Sequence, residues 1–361
     1  MTPLPPQGLQ LGNDDQTPYP SFRLPPFPRF QPALRRPGLD KLEASWRAWL
    51  DDALRPAHTE DRRAFEEFLN HRTTLWNLLT YPTCDTERTG TICHWIDVLF
   101  SIDDLFVQAP HACLERLGLH QLDTALDDDQ PAPQALYPKV LAALAKRLRA
   151  DMSSNLWNRF AQDTRGFFAA CRAERGWVEA GTAMDLTTYE ESRIKSIGAC
   201  CFPLLEHGLS IDLTGELAAT PELGRLNHLV ARHWIAVNDI FSYRKELYSG
   251  DTINEITLAL ASNGGDLQAA VDHIAETIRG IEMEFCGISA RLLGGTFGQD
   301  PTVSRYVEAL RWMIAGNLEW SYITPRYNGH GHTWTGQTAD IVILTPHRTL
   351  YQTTGPRLQA R

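Results

Sequence analysis

The sequence predicts an all-α protein, folded as one domain of ten or more helices. Apolar residues recur at three- and four-residue spacing through most of the chain. The breaks between these runs fall at turn-forming residues, namely Tyr81-Pro82, "DDDQPAP" at 127–133 and "SNGGD" at 262–266. Apart from "DIVIL" at 340–344, no stretch reads as a strand.

Residues 1–37 hold ten of the 22 prolines, so this arm cannot be regular helix and should run extended. From about Asp40 the texture changes. Helical periodicity begins in "LDKLEASWRAWLDDAL" and continues in "DRRAFEEFLNHRTTLWNLLT" and "TICHWIDVLFSIDDLFV". "ALYPKVLAALAKRLRADM", "NLWNRFAQDTRGFFAACRAE" and "YEESRIKSIGACCFPLLEHGL" follow, each with an apolar face. Then come "LNHLVARHWIAVNDIFSYRKEL", "DLQAAVDHIAETIRGIEMEFCGISARLL" and "SRYVEALRWMIAGNLEWSYI". After Tyr327 the polar run "NGHGHTWTGQTAD" reads as the start of a flexible tail. With no internal repeat and no linker, the chain divides into an arm (1–37), a helical domain (38–327) and a tail (328–361).

Composition limits the function. The 361 residues are 43% hydrophobic, enough for a substantial core. A net charge of −10 argues against nucleic-acid binding, which needs clustered Lys and Arg. Seven cysteines without regular spacing form neither a disulfide framework nor a CxxC metal site. The first residues lack a basic and an apolar signal region, and no run of about 18 apolar residues occurs. These features point to a reduced, soluble, cytoplasmic protein.

The chemistry starts from "NDIFSYRKE", 238–246. Each helical residue advances about 100°, so Asn238, Ser242 and Glu246 drift by only about 40° per step and share one stripe. An amide, a hydroxyl and a carboxylate in a row suit a hard cation better than a solvated face. In "FSIDDLFVQ", 100–108, Asp103 and Asp104 interrupt an apolar helix, which is costly unless they are paired or bind metal. Arg193 and Lys195 in "YEESRIKSIGA" read, alone, as a solvated face, and Arg326-Tyr327 in "NLEWSYITPRY" is unremarkable alone. Together, two acidic groups on separate helices and the donors Arg193, Lys245, Arg326 and Tyr327 describe a site for a diphosphate and divalent cations. The surrounding Trp and Phe residues suit an isoprenoid chain, and aromatic faces stabilise cations.

On these residues the sequence resembles the bacterial class I terpene synthases, or terpene cyclases. "NDIFSYRKE" matches that family's second metal motif, N-D-x-x-S-x-x-K-E, and "NLEWSYITPRY" matches its C-terminal N-x-x-W-S…R-Y signature. "FSIDDLFVQ" occupies the place of the aspartate-rich motif, and Arg193 the place of the pyrophosphate-sensing arginine. "PPFPRFQPA" is similar to the family's Pro-rich N-terminal segment. One departure stands out: Val107 and Gln108 occupy the positions of the usual third acid.

The resemblance implies a single-domain class I terpenoid synthase α-helical bundle around a central active-site cavity. It implies three Mg²⁺ ions, two at Asp103 and one held by Asn238, Ser242 and Glu246. Arg193, Lys245, Arg326 and Tyr327 would grip the diphosphate, while Asp104 would pair with a basic residue such as Arg326. Ser196 would connect the sensor to a backbone carbonyl near Ile197–Gly198. Leu99, Phe100, Phe106 and Trp312 are implied walls, whereas Trp95 reads as ordinary core. The expected substrate is a linear isoprenoid diphosphate, farnesyl diphosphate before geranylgeranyl diphosphate, and the expected state a monomer or homodimer. A chain-elongating prenyl enzyme should carry two Asp-rich motifs, and an all-α pyrophosphohydrolase repeated ExxE acids; neither pattern is present. A non-catalytic binder, suggested by Val107 and Gln108, is distinguished by product analysis.

Overall fold

A computed structural model describes residues 18–27, 29–127, 133–182, 184–295, 297–336 and 341–352. The apolar runs become helices: α1 (Leu39–Leu54), α2 (Arg62–Leu69), α3 (Thr73–Thr80), α4 (Thr86–Gln108), α5 (His111–Leu117), α6 (Leu136–Asp151), α7 (Ser154–Ala180) and α8 (Leu186–Ser196). The second half adds α9 (Cys201–Leu209), α10 (Thr214–Ala219), α11 (Pro221–Ser249), α12 (Glu255–Ser262), α13 (Leu267–Gly294), α14 (Pro301–Ile323) and the single turn α15 (Pro325–Asn328). Their starts are marked in the sequence. Asp85, Ser153, Asp185, Asn254, Asp266 and Asp300 each accept a backbone N–H from the first turn that follows, and such a cap is worth about 1 kcal/mol.

Two runs that read as single helices are broken. The 61–80 run divides at Arg72, whose backbone is left-handed (φ 57°). That turn is held from outside: the Arg72 guanidinium binds both oxygens of Glu43 at 2.7 Å, and its carbonyl accepts Trp320 Nε1–H at 2.8 Å. The 189–209 run divides between α8 and α9, where Gly198 has φ 113°.

Helix α11 is the central element. From Leu229 to Val237 every residue is buried, so the helix has no solvent face there, the pattern of a helix enclosed on all sides. It packs against α8, α12, α13, α14 and α15, and α14 in turn packs on α3.

The termini depart from expectation. The arm is extended over its described part, but Phe22, Leu24, Phe27 and Phe30 are buried in the common core rather than set apart from it. The Arg36 guanidinium donates to the carbonyls of Tyr81, Pro82 and Cys84. The tail is not simply flexible. "IVIL" forms strand β2 (Ile341–Leu344), between β1 (Ser21–Arg23) and β3 (Thr349–Gln352) in an antiparallel sheet. The strand read from "DIVIL" is present, and its partners, β1 at the other end of the chain and β3 just beyond it, are what the sequence reading missed. Residues 1–17, Pro28, most of the 127–133 turn, 337–340 and 353–361 lie outside the described residues.

The α3–α14 contact is close enough to require glycine. A Cβ on Gly316 would sit 2.3 Å from the Leu79 carbonyl oxygen and 2.7 Å from Thr80 N. Backbone cannot yield as a side-chain tip can, so Gly316→Ala should cost about 1–3 kcal/mol despite alanine's better helix propensity. Thermal unfolding checks this; an unchanged or higher Tm would show that the two helices separate freely.

Candidate active site

Helices α4, α7, α11 and α14, the α8–α9 break and the α15 turn enclose a cavity of about 660 Å³. Its deep end is aromatic: Trp76, Trp234 and Trp320 are buried, and Phe100 packs on both Trp76 (5.7 Å between centroids) and Trp320 (5.8 Å). Toward the exposed end the lining becomes polar, with Asp103, Arg193, Asn238, Ser242, Lys245, Glu246, Arg326 and Tyr327.

The helical period brings Asn238, Ser242 and Glu246 to one face of α11, and all three line this cavity. Asn238 Oδ1 accepts from Arg193 Nη2 at 2.8 Å, and its Nδ2 donates to the Tyr327 hydroxyl at 2.6 Å. Glu246 Oε2 accepts from Asn254 Nδ2 at 2.5 Å. Burial, with Asp251 and Asp239 nearby, pushes the Glu246 carboxyl up to about 8. Ser242 Oγ is buried and points toward that carboxylate without a hydrogen bond of good geometry. A hydroxyl without a hydrogen-bond partner, an amide oxygen and a buried carboxyl form a hard-oxygen donor set that fits a divalent cation.

Across the cavity, α4 presents its paired acids in different states. Asp104 accepts from Lys245 Nζ at 3.0 Å and from Arg326 Nη1, with His71 Nδ1 at 3.7 Å. Burial opposes its charge, yet Arg326 and Lys245 hold its carboxyl well below the usual range. Asp103 accepts from Arg326 Nη2 at 2.9 Å, and burial leaves its carboxyl raised. Asp104 pairs with Arg326, the partner the resemblance implied, and Asp103 is the member of the pair that lines the cavity.

Arg193 lies at the end of α8, beside the helix break. Its Nη1 donates to Ser196 Oγ at 3.2 Å, and Asp239 Oδ1 is 3.8 Å from its Nη2. Ser196 and Ser192 both donate to Glu174 Oε1 on α7, at 2.7 and 3.0 Å. Burial works against the Arg193 charge, but Tyr189, Glu174 and Asp239 hold its pKa well above normal. Ile197 and Gly198 face the same cavity.

Among the apolar residues singled out in sequence, Leu99, Phe100 and Phe106 line the cavity, and Trp95 packs on Phe160 in the core. Trp312 does not line it. It is half-buried on another side of α14, about 140° from Asn317, so Trp320 takes the place expected for it. Trp76, Trp234, Glu174 and Asp251 also line the cavity, and sequence reading missed them. For Glu174 a signal existed: Phe167, Cys171 and Glu174 repeat at helical spacing, which puts an acid on an otherwise apolar face.

A family model described as "Terpene synthase family 2, C-terminal metal binding" matches residues 94–283. Microbial terpene synthase-like protein 13 of Selaginella moellendorffii is 26% identical over 330 residues, covering 88% of this chain and 89% of that protein. Sesquiterpene synthase Agr3 of Cyclocybe aegerita is 28% identical over 314 residues, covering 82% and 86%. The solved structure of hedycaryol synthase in complex with HEPES superposes with a TM-score of 0.70 at 21% identity, over 83% of this chain and 98% of that one; it speaks for the fold alone. More than half of the chain lies within the stretch that the family model matches, and the protein belongs to the terpene synthase family.

Proposed function

We propose that the protein is a Mg²⁺-dependent terpene cyclase. It ionises a linear isoprenoid diphosphate, with farnesyl diphosphate favoured, and cyclises the cation to a sesquiterpene with release of diphosphate. The observation that carries this is one cavity with an aromatic floor and a rim of cationic side chains and oxygen-bearing side chains. The sesquiterpene synthases among its relatives support the C15 chain length.

In this reading Asp103, Asn238, Ser242 and Glu246 hold the metal, three ions as the family resemblance implies. When bound, Mg²⁺ supplies positive charge that makes diphosphate a better leaving group. Arg193, Lys245, Arg326 and Tyr327 converge on the polar end and donate to the diphosphate oxygens. For Arg326 this means giving up part of its grip on Asp103 and Asp104 in exchange for the new anion. The C–O bond to the diphosphate breaks, and an allylic cation remains among the rings of Trp76, Phe100, Trp234 and Trp320. Their packing excludes water and holds the chain folded until a proton is lost.

Incubation with C10, C15 and C20 diphosphates and Mg²⁺, followed by gas chromatography–mass spectrometry, tests the reading; it predicts a cyclic C15 product. EDTA should abolish turnover and Mg²⁺ restore it, whereas full turnover in metal-free buffer would refute the metal role. Glu246→Gln keeps shape but removes charge. Turnover should fall by at least about a hundredfold, beyond the loss typical of an outer-shell metal contact, with little change in Tm. Wild-type product yield from that variant would mean the α11 stripe is not a metal site. Asp103→Ala should eliminate product while Gln108→Glu is tolerated, since Gln108 stands at the exposed rim. Near-normal turnover by Asp103→Ala would show that the first motif is misplaced.

A further inference from the structure

Arg244 lies between Ser242 and Glu246 on α11, about 200° round the helix from each, so it points away from the ligand face. Its guanidinium is buried and has no carboxylate partner among the described residues. Burying an unpaired cation is costly unless other groups solvate it. Here backbone carbonyls do so: Nε donates to Tyr327 O at 2.9 Å and Nη1 to Pro346 O at 3.2 Å. The first belongs to the Arg326-Tyr327 turn and the second to the loop between β2 and β3.

The hairpin holds the same turn by other contacts. Gly329 bridges to Arg348, and a Cβ there would lie 2.2 Å from His347 O. The Tyr351 hydroxyl donates to Asn328 Oδ1, and Asn328 Nδ2 caps the carbonyls of Ser321, Tyr322 and Thr324 at the end of α14. The Tyr248 hydroxyl ties α11 to Leu344 O at 2.9 Å. A lone hairpin is marginal in water. This one gains β1 as a third strand, and the Arg23 backbone is fixed to Gln268 of α13 by two bonds.

We infer that the C-terminal hairpin and Arg244 form a brace that sets the Arg326-Tyr327 pair against the Asn238–Glu246 face. The hairpin at 341–352 is then a working part of the site, and Arg244 is a positioning residue. The inference rests on the reading in which Arg326 and Tyr327 grip diphosphate. A misplacement of about 1 Å at such a clamp costs about a hundredfold in rate.

The test compares Arg244→Met, Arg244→Lys and a chain ending at Gly336, with Leu148→Ala in α6 as a destabilised control outside the site. The readouts are inorganic diphosphate binding with Mg²⁺ by calorimetry, kcat and KM for farnesyl diphosphate, and Tm. Arg244→Met and the shortened chain should bind diphosphate about tenfold more weakly and lose about a hundredfold in kcat. For Arg244→Met, that loss should exceed the control's at equal or smaller loss of Tm. Arg244→Lys, which can still donate to one carbonyl, should recover part of the loss. Affinity and kcat within about twofold of wild type in Arg244→Met or the shortened chain would overturn the inference, as would losses no larger than those of Leu148→Ala. Should Arg244→Met fail to fold, Tyr248→Phe/Tyr351→Phe removes two hydroxyl bonds of the brace and carries the same comparison. A wild-type protein that does not bind diphosphate with Mg²⁺ would instead refute the reading of the site itself.

Discussion

Arg326 sits across two adjacent carboxylates, and the organisation of the site depends on that fork. Asp103 and Asp104 follow one another on a half-buried stretch of α4, where like charges side by side call for compensation. The guanidinium reaches both, one nitrogen to each. Lys245 then adds a second cation to Asp104 alone. The pair is made unequal by this arrangement: Asp104 is fully engaged, while Asp103 keeps capacity for another partner. The same contacts draw α4, α11 and the α15 turn together at the polar end of the cavity.

Helix α11 gives the site its rigidity because it is enclosed on nearly every side. Trp234 Nε1 donates to Met313 O of α14 at 3.1 Å, and Arg232 pairs with Glu190 and Glu255. Asp239, next to Asn238, accepts from the Tyr189 hydroxyl and from Glu255 N, which fastens α8 and α12 to the helix. Burial pushes the Asp239 carboxyl up to about 6 even with Arg193 near it. One helix thus turns Asn238, Ser242 and Glu246 to the cavity on one face and anchors its neighbours with the others.

Much of this was legible in the sequence, for reasons that differ by residue. Asn238, Ser242 and Glu246 could be grouped from helical geometry, because their relation lies within four-residue steps of one helix. Asp103 and Asp104 were conspicuous because charge inside an apolar run demands a partner. Arg193 was legible only by resemblance to a family, since nothing local shows that a residue 45 positions away in sequence will donate to Asn238. The cavity floor was the least accessible part. Trp76 and Trp234 are ordinary apolar residues in their own helices, and only the crossing of α3, α11 and α14 makes them neighbours. Trp312 and Trp320 are both aromatic residues of α14, and which one faces inward depends on how the helix is rotated against α3. In the tail, "DIVIL" was legible as a strand, but β1, β3 and their pairing with it were not, because short strands next to Gly, Thr and Pro are recognisable only with their partner present.

That partner has a bearing on how the molecule is made. Ser21 pairs with Ile343, so β1 leaves the ribosome about 320 residues before the strand it pairs with. Ala33 N and Arg35 likewise depend on Glu319, near the end of α14. Phe22, Phe27 and Phe30 lie on this arm and are buried in the finished fold. Contacts of this sequence separation form slowly, because the closure of a long loop comes before any gain from them. The pairing of β1 with β2 is therefore among the slow-forming contacts of this fold.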